Sequence, residues 1–121
     1  MVLIKKGAEA SLYLENWHNQ KVIIKHRLPK KYRIPELDYV IRSQRTIHEP
    51  YIIHKAKEAG VPTPTIFMVS PNDSNIIMEY VNGKQVKEVL DNFSKKDRLN
   101  LCKLIGNLIG RLHISGIIHG D

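Results

Sequence analysis

The 121-residue sequence contains a single cysteine, Cys102. One thiol excludes an internal disulfide, and without a second thiol or a close Cys/His pairing it builds no zinc site, so packing must supply the stability. Long apolar runs are also missing. Lys5 and Lys6 cut short the apolar start at Met1, and no other run exceeds a few residues, so the sequence reads as having neither a membrane span nor a signal peptide. A soluble cytoplasmic protein is expected, also nuclear if the source is eukaryotic. Acids are scarce in one stretch. From Lys21 to Lys57 there are ten basic residues (Lys21, Lys25, Arg27, Lys30, Lys31, Arg33, Arg42, Arg45, Lys55 and Lys57) against three acids (Glu36, Asp38 and Glu49). That stretch holds the whole net charge of +7, because the rest balances at nine against nine. Such a block can hold the phosphates of a nucleotide, an RNA backbone or an acidic partner, since each cation neutralises an oxyanion and releases counterions. A merely solvated face is the plainer reading. What is present in ordinary amounts, 42% hydrophobic and 26% charged residues, suits one small folded domain rather than a disordered chain.

The pattern of elements is α+β. Residues 2–4, 11–17 and 21–25 read as three short strands of an antiparallel meander, rich in β-branched and aromatic residues and separated by turns at Gly7 and at His18, Asn19 and Gln20. Leu28-Pro29 and Ile34-Pro35 mark an extended connector, because proline disfavours the α region for its predecessor. Apolar spacing at Val40, Ile47 and Tyr51 predicts helix over 37–59, closed by Gly60 and the Pro62/Pro64 pair and split into two pieces by Pro50. Residues 65–69 and 75–81 form a strand pair around Pro71-Asn72-Asp73-Ser74, giving five strands. A short helix over 86–90 precedes a longer one from Ser94, where Ser94 caps and Asp97 closes a capping box. In it Leu101, Leu104, Ile105, Leu108 and Leu112 recur at helical spacing and are expected to pack inward, with Cys102 as core and Gly106 and Gly110 permitting close helix packing. The helix should end near His113, followed by a strand-like Ile117-Ile118.

Five features carry chemistry. Gly7-Ala8-Glu9-Ala10 joins two strands with a turn whose main-chain amides can approach phosphate. On the third strand Lys25 follows Val22-Ile23-Ile24, so one ammonium stands beside that hairpin. Glu49, 24 residues later on the predicted helix, can hold that lysine by an ion pair. Ile76-Ile77-Met78-Glu79-Tyr80-Val81 runs into Asn82-Gly83, a linker whose backbone can serve adenine. His119-Gly120-Asp121 places a carboxylate where it can deprotonate an attacking hydroxyl. Singly each has a bland reading: a turn glycine, a surface lysine, a helix charge, a core methionine. Together, in this order, they resemble the small lobe, hinge and first large-lobe helix of a protein-kinase-like fold, over essentially all of the chain.

Details narrow the resemblance. Gly-Ala-Glu-Ala stands for the longer glycine-rich loop, and the run from Lys25 through His26-Arg27-Leu28-Pro29-Lys30-Lys31-Tyr32-Arg33-Ile34-Pro35, with Gly60-Val61-Pro62-Thr63-Pro64, Met78-Glu79-Tyr80 and Ile118-His119-Gly120-Asp121, is similar to the small atypical serine/threonine kinase subunit of KEOPS. That complex makes threonylcarbamoyladenosine on tRNA. The resemblance implies a kinase-like small lobe over residues 1–81, with hinge and start of the large lobe over 82–121. It implies binding of ATP with Mg²⁺, autophosphorylation, and ATP hydrolysis that supports a threonylcarbamoyl transferase partner among the other KEOPS subunits. Residue by residue, Lys25 contacts the α and β phosphates and Glu49 holds Lys25. Glu79 and Val81 bind adenine through their backbone with Met78 beside them, Gly7, Ala8, Glu9 and Ala10 cover the phosphates, and Asp121 is the catalytic aspartate. His119 is structural.

Two departures qualify the expectation. The asparagine and further aspartate that hold the metal in such kinases do not occur by Asp121, so the chain is expected to be a fragment without appreciable turnover of its own. Pro50 biases Glu49 away from helical geometry, so the Lys25 to Glu49 pair is expected only if Pro50 sits in a helix's first turn. Two rivals remain. A small-molecule phosphotransferase shares the His-Gly-Asp signature, and a non-catalytic module would use the 21–57 block to hold tRNA or an acidic partner.

Overall fold

A computed structural model describes residues 1–118. Strands β1 (Val2–Lys6), β2 (Ala10–Trp17) and β3 (Gln20–Arg27) form the expected meander. The β2–β3 turn has two residues, His18 and Asn19, both at positive φ (49° and 64°), which matches the twist of the strands it joins. With β4 (Ile66–Ser70) and β5 (Asn75–Glu79) they make a five-stranded antiparallel sheet ordered β1-β2-β3-β5-β4. The fold class is therefore α+β. The β4–β5 turn ends at Ser74, at φ 55°, whose carbonyl accepts from the Arg27 amide at 3.0 Å and ties the turn to the end of β3. Val22, Ile23 and Ile76, on the two central strands, are buried and form the small apolar centre of the sheet.

Helix α1 (Pro35–Glu58) begins with proline at its first position, where the missing N–H is no loss. It runs unbroken through Pro50 for 24 residues, which corrects the expected split into two pieces. The local penalty of an interior proline is overridden by anchors upstream of it. Asp38 accepts from Lys30 N, Arg33 and Arg42; Arg42 also donates to Ser74 Oγ at 3.0 Å; and Ser43 donates to the Pro71 carbonyl at 3.1 Å. At its far end Gly60 (φ 85°) donates to Lys57 O and Val61 to Ala56 O, the paired bonds of a left-handed helix stop.

The chain divides into two compact units, Met1–Ile53 with Pro64–Tyr80, and His54–Thr63 with the residues from Val81 onward. The second holds α2 (Val86–Val89), a 3₁₀ turn over Leu90–Asn92, and α3 (Lys95–Ile114). Ser94 caps α3, its hydroxyl accepting from Asp97 N at 3.1 Å, as expected. Three expectations fail here and one holds in part. No residue of α3 is fully buried: Leu101, Ile105, Leu108 and Leu112 are half-buried and Leu104 is 55% exposed, so the apolar stripe is only partly covered among the described residues. Cys102 is exposed rather than core. Among the described residues a Cβ built at Gly106 or Gly110 meets nothing within 4 Å, so no close packing is seen at either glycine there. Ile117-Ile118 is not a strand, because the Ile117 amide is committed to Leu112 O at 2.8 Å in the stop of α3, where Gly116 takes φ 81°.

Candidate nucleotide-phosphate site

The sheet register brings the site together. Lys5 on β1 pairs with Leu12 on β2, Leu12 with Lys25 on β3, and Lys25 with Ile76 on β5, so these side chains share one face of the sheet. Ala10 pairs with Arg27 in the next row on the same face. A cavity of about 250 Å³ opens there, lined by Lys5, Gly7, Glu9, Ala10, Leu12, Lys25 and Arg27. Lys5 escaped the sequence reading as a site residue, and Arg27 entered it only as one of the ten cations of the basic block. The signal was available for Arg27, since a residue two beyond Lys25 on a strand must point to the same side.

The hairpin between β1 and β2 is drawn tight. Gly7 N donates to Ala10 O at 2.8 Å, and a Cβ at Gly7 would stand 3.0 Å from that same oxygen. Glycine is needed here for space, not for an unusual φ. The bond also commits the Gly7 amide, which the sequence reading had offered to phosphate. Two tethers reach the tip from elsewhere in this unit: Lys30 Nζ donates to the Ala8 carbonyl, and Arg45 of α1 pairs with Glu9 at 3.3 Å.

Lys25 Nζ lies 2.5 Å from Glu49 Oε1, the strand-to-helix ion pair expected from the sequence. It forms with Pro50 deep inside α1, so the condition that Pro50 occupy a first turn is not required. Arg27 Nη2 stands 3.7 Å from the same Oε1. One carboxylate thus faces two cations, which leaves the cavity wall a net positive charge, the sign a phosphate needs.

Met78 pairs with Ile23 and Ile66, in the interior of the sheet between β3 and β4. Glu79 donates its amide to Thr65 O at 2.8 Å and accepts from Thr65 N on its side chain at 3.0 Å. Val81 follows in the second unit and is exposed. Asp121, with His119 and Gly120, lies outside the described residues, so the expected catalytic carboxylate has no position to report.

Behind the site Asp38 is only 3% exposed. Burial pushes its carboxyl up, but hydrogen bonds from Arg42, the Lys30 amide and Arg33 outweigh that, and its pKa lies below the ordinary value of 3.8.

No family model matches the chain. Among curated proteins, KEOPS complex subunit Bud32 of Pyrococcus abyssi is 45% identical over all of this chain. The likeness is to Bud32. Probable bifunctional tRNA threonylcarbamoyladenosine biosynthesis proteins of Methanothermobacter thermautotrophicus and Methanocaldococcus jannaschii are 44% and 40% identical over 98% of the chain. The chain spans 58% of the length of the Pyrococcus Bud32 and 21% of each of these two bifunctional proteins. The resemblance read from the sequence is borne out by these relatives, and the five-stranded antiparallel sheet with α1 is the small lobe of a kinase-like fold. No described helix of this Bud32-like chain is long and apolar enough to cross a membrane.

Proposed function

We propose that this chain supplies the nucleotide-binding lobe of an ATP-dependent kinase or ATPase subunit of KEOPS, acting with the other KEOPS subunits, including the threonylcarbamoyl transferase, in threonylcarbamoyladenosine modification of tRNA. The observation that carries the reading is the Lys25 to Glu49 pair at 2.5 Å, set beside a tight glycine hairpin on a cationic cavity wall. The cavity suits the phosphates of ATP in the sign of its charge. Lys25 takes the α and β phosphates, Glu49 positions Lys25, the hairpin of Gly7, Ala8, Glu9 and Ala10 covers the phosphates, and Met78, Glu79 and Val81 serve the adenine. Asp121 is the base that accepts the proton of the attacking hydroxyl. Bound magnesium would screen the charge developing on the phosphates. The residues expected to hold that metal are the asparagine and aspartate that follow the catalytic aspartate in such kinases.

The test is ATP binding by the protein as its cell makes it. Lys25→Met is expected to lower the affinity for ATP at least tenfold (about 1.4 kcal/mol) while leaving adenosine binding unchanged. Equal affinity for ATP in the two proteins would overturn the reading.

A further inference from the structure

Strand β1 carries a bulge, and the bulge decides which of its two lysines enters the cavity. Val2 and Leu3 pair with Leu14 and Tyr13, and regular pairing continued from there would set Ile4 against Leu12 and Lys5 against Ser11. The register instead shifts between Leu3 and Lys5, so that Lys5 stands against Leu12 and Lys6 against Ser11. One extra residue turns every later side chain of a strand to the other face of its sheet, and bulges on edge strands re-aim side chains in this way. Lys5 thereby joins the face of Lys25 and lines the cavity, while Lys6 falls on the opposite face, outside it. Without the bulge an isoleucine would take the cavity position.

The other cations around this cavity are engaged. Lys25 and Arg27 share the Glu49 carboxylate, Lys30 holds the Ala8 carbonyl, and Arg45 pairs with Glu9, the acidic residue lining the cavity. Lys5 is exposed, and among the described residues no acid or carbonyl is paired with it. Its charge is uncompensated and stands at the cavity on a flexible stem. Neighbouring strands lie about 4.8 Å apart, so the backbones of Lys5 and Lys25 are about 10 Å apart with Leu12 between them. An anion resting over Leu12 has one lysine on each side.

We propose that Lys5 is a second phosphate-binding residue, meeting the polyphosphate of the nucleotide from the β1 side while Lys25, held by Glu49, meets it from the β3 side. The inference rests on the nucleotide-phosphate reading of the cavity and adds a contact to it. The partners of the two lysines give them different duties. Glu49 holds Lys25 in one place, so Lys25 fixes where the phosphates lie. Lys5 has no ion pair to give up, so it adds attraction without breaking one.

The test is calorimetric titration of the whole protein with ATP and with adenosine, both in the presence of magnesium. Lys5→Gln is expected to weaken ATP binding about fivefold, the scale of one exposed ion pair, with adenosine binding unchanged. Lys6→Gln removes the same charge from the opposite face and is expected to alter ATP affinity by less than about twofold. Lys5→Arg keeps the charge and is expected to bind ATP within about twofold of the unaltered protein. Undiminished ATP affinity in Lys5→Gln would overturn the proposal. So would an equal loss in Lys6→Gln, which would make the effect one of net charge alone, or an equal loss in Lys5→Arg, which would make it one of local packing at the bulge. Lys5 is exposed on an edge strand, away from the buried centre of the sheet, so these variants are expected to fold. The underlying nucleotide reading fails separately, if Lys25→Met binds ATP normally.

Discussion

Asp38 is where a single carboxylate holds most together. It fixes the connector through Lys30 N, and it neutralises Arg33 and Arg42, the latter at 2.7 Å. Because its folded pKa is depressed, its contribution to stability is fully present above the unfolded value near 3.8 and is lost as pH falls through the lower folded value. Thermal unfolding followed from about pH 6 down to about pH 2 should therefore steepen its decline below about pH 4 in the unaltered protein. In Asp38→Asn the midpoint starts lower and that added steepening disappears; parallel curves would rule out Asp38 as the source. At this scale the sequence was legible where chemistry repeats a pattern: Lys25 and Glu49 meet as expected. It was illegible where a role depends on which cation faces which acid. Arg27, Lys30, Arg45 and Asp38 all sat in a block read only as net positive charge, yet each has a specific partner.

Among the elements, α1 departs most from local rules. Pro50 removes an N–H that would bond to the Thr46 carbonyl, and its ring crowds that turn. The helix continues because its upstream half is fixed to the connector, to the β4–β5 turn and to β3 by named polar contacts. Local propensity was a sound guide to the strands and to the Ser94 cap, whose signals lie within a few residues. It failed at Pro50 and at Gly106 and Gly110, and held only in part along α3, where the outcome depends on what stands opposite. Pro50→Ala should stabilise the protein by about 1 kcal/mol, less than the full penalty of an interior proline because the unfolded chain also gains freedom. A rise of several degrees in the unfolding midpoint, with the affinity for ATP unchanged, is the expected result. A midpoint that stays or falls would mean that the turn at Pro50 is not the weak point of α1.

Across the whole molecule, the basic block is two things at once. Five of its ten cations are bound internally: Lys25 and Arg27 to Glu49, Arg33 and Arg42 to Asp38, and Arg45 to Glu9. Lys30 holds the hairpin through Ala8. Lys21, Lys31 and Lys57 are exposed and are the members of the block best suited to a polyanion. If this lobe touches tRNA directly, Lys21→Glu with Lys31→Glu should weaken tRNA binding and reduce the slope of log affinity against log salt by about 2. ATP affinity should not change. An unaltered slope would move the tRNA contact elsewhere. The five internal pairs bear on α1 in another way. Most helices rest on a sheet through grease, and grease tolerates rolling. The side of α1 turned to this sheet offers Asp38, Arg42, Ser43, Arg45 and Glu49, each matched to its own donor or acceptor. A turn of one residue, about 100°, would strip every one of those matches. The helix is thus fitted like a key in a lock, with one angular setting in which it is seated and no partial one.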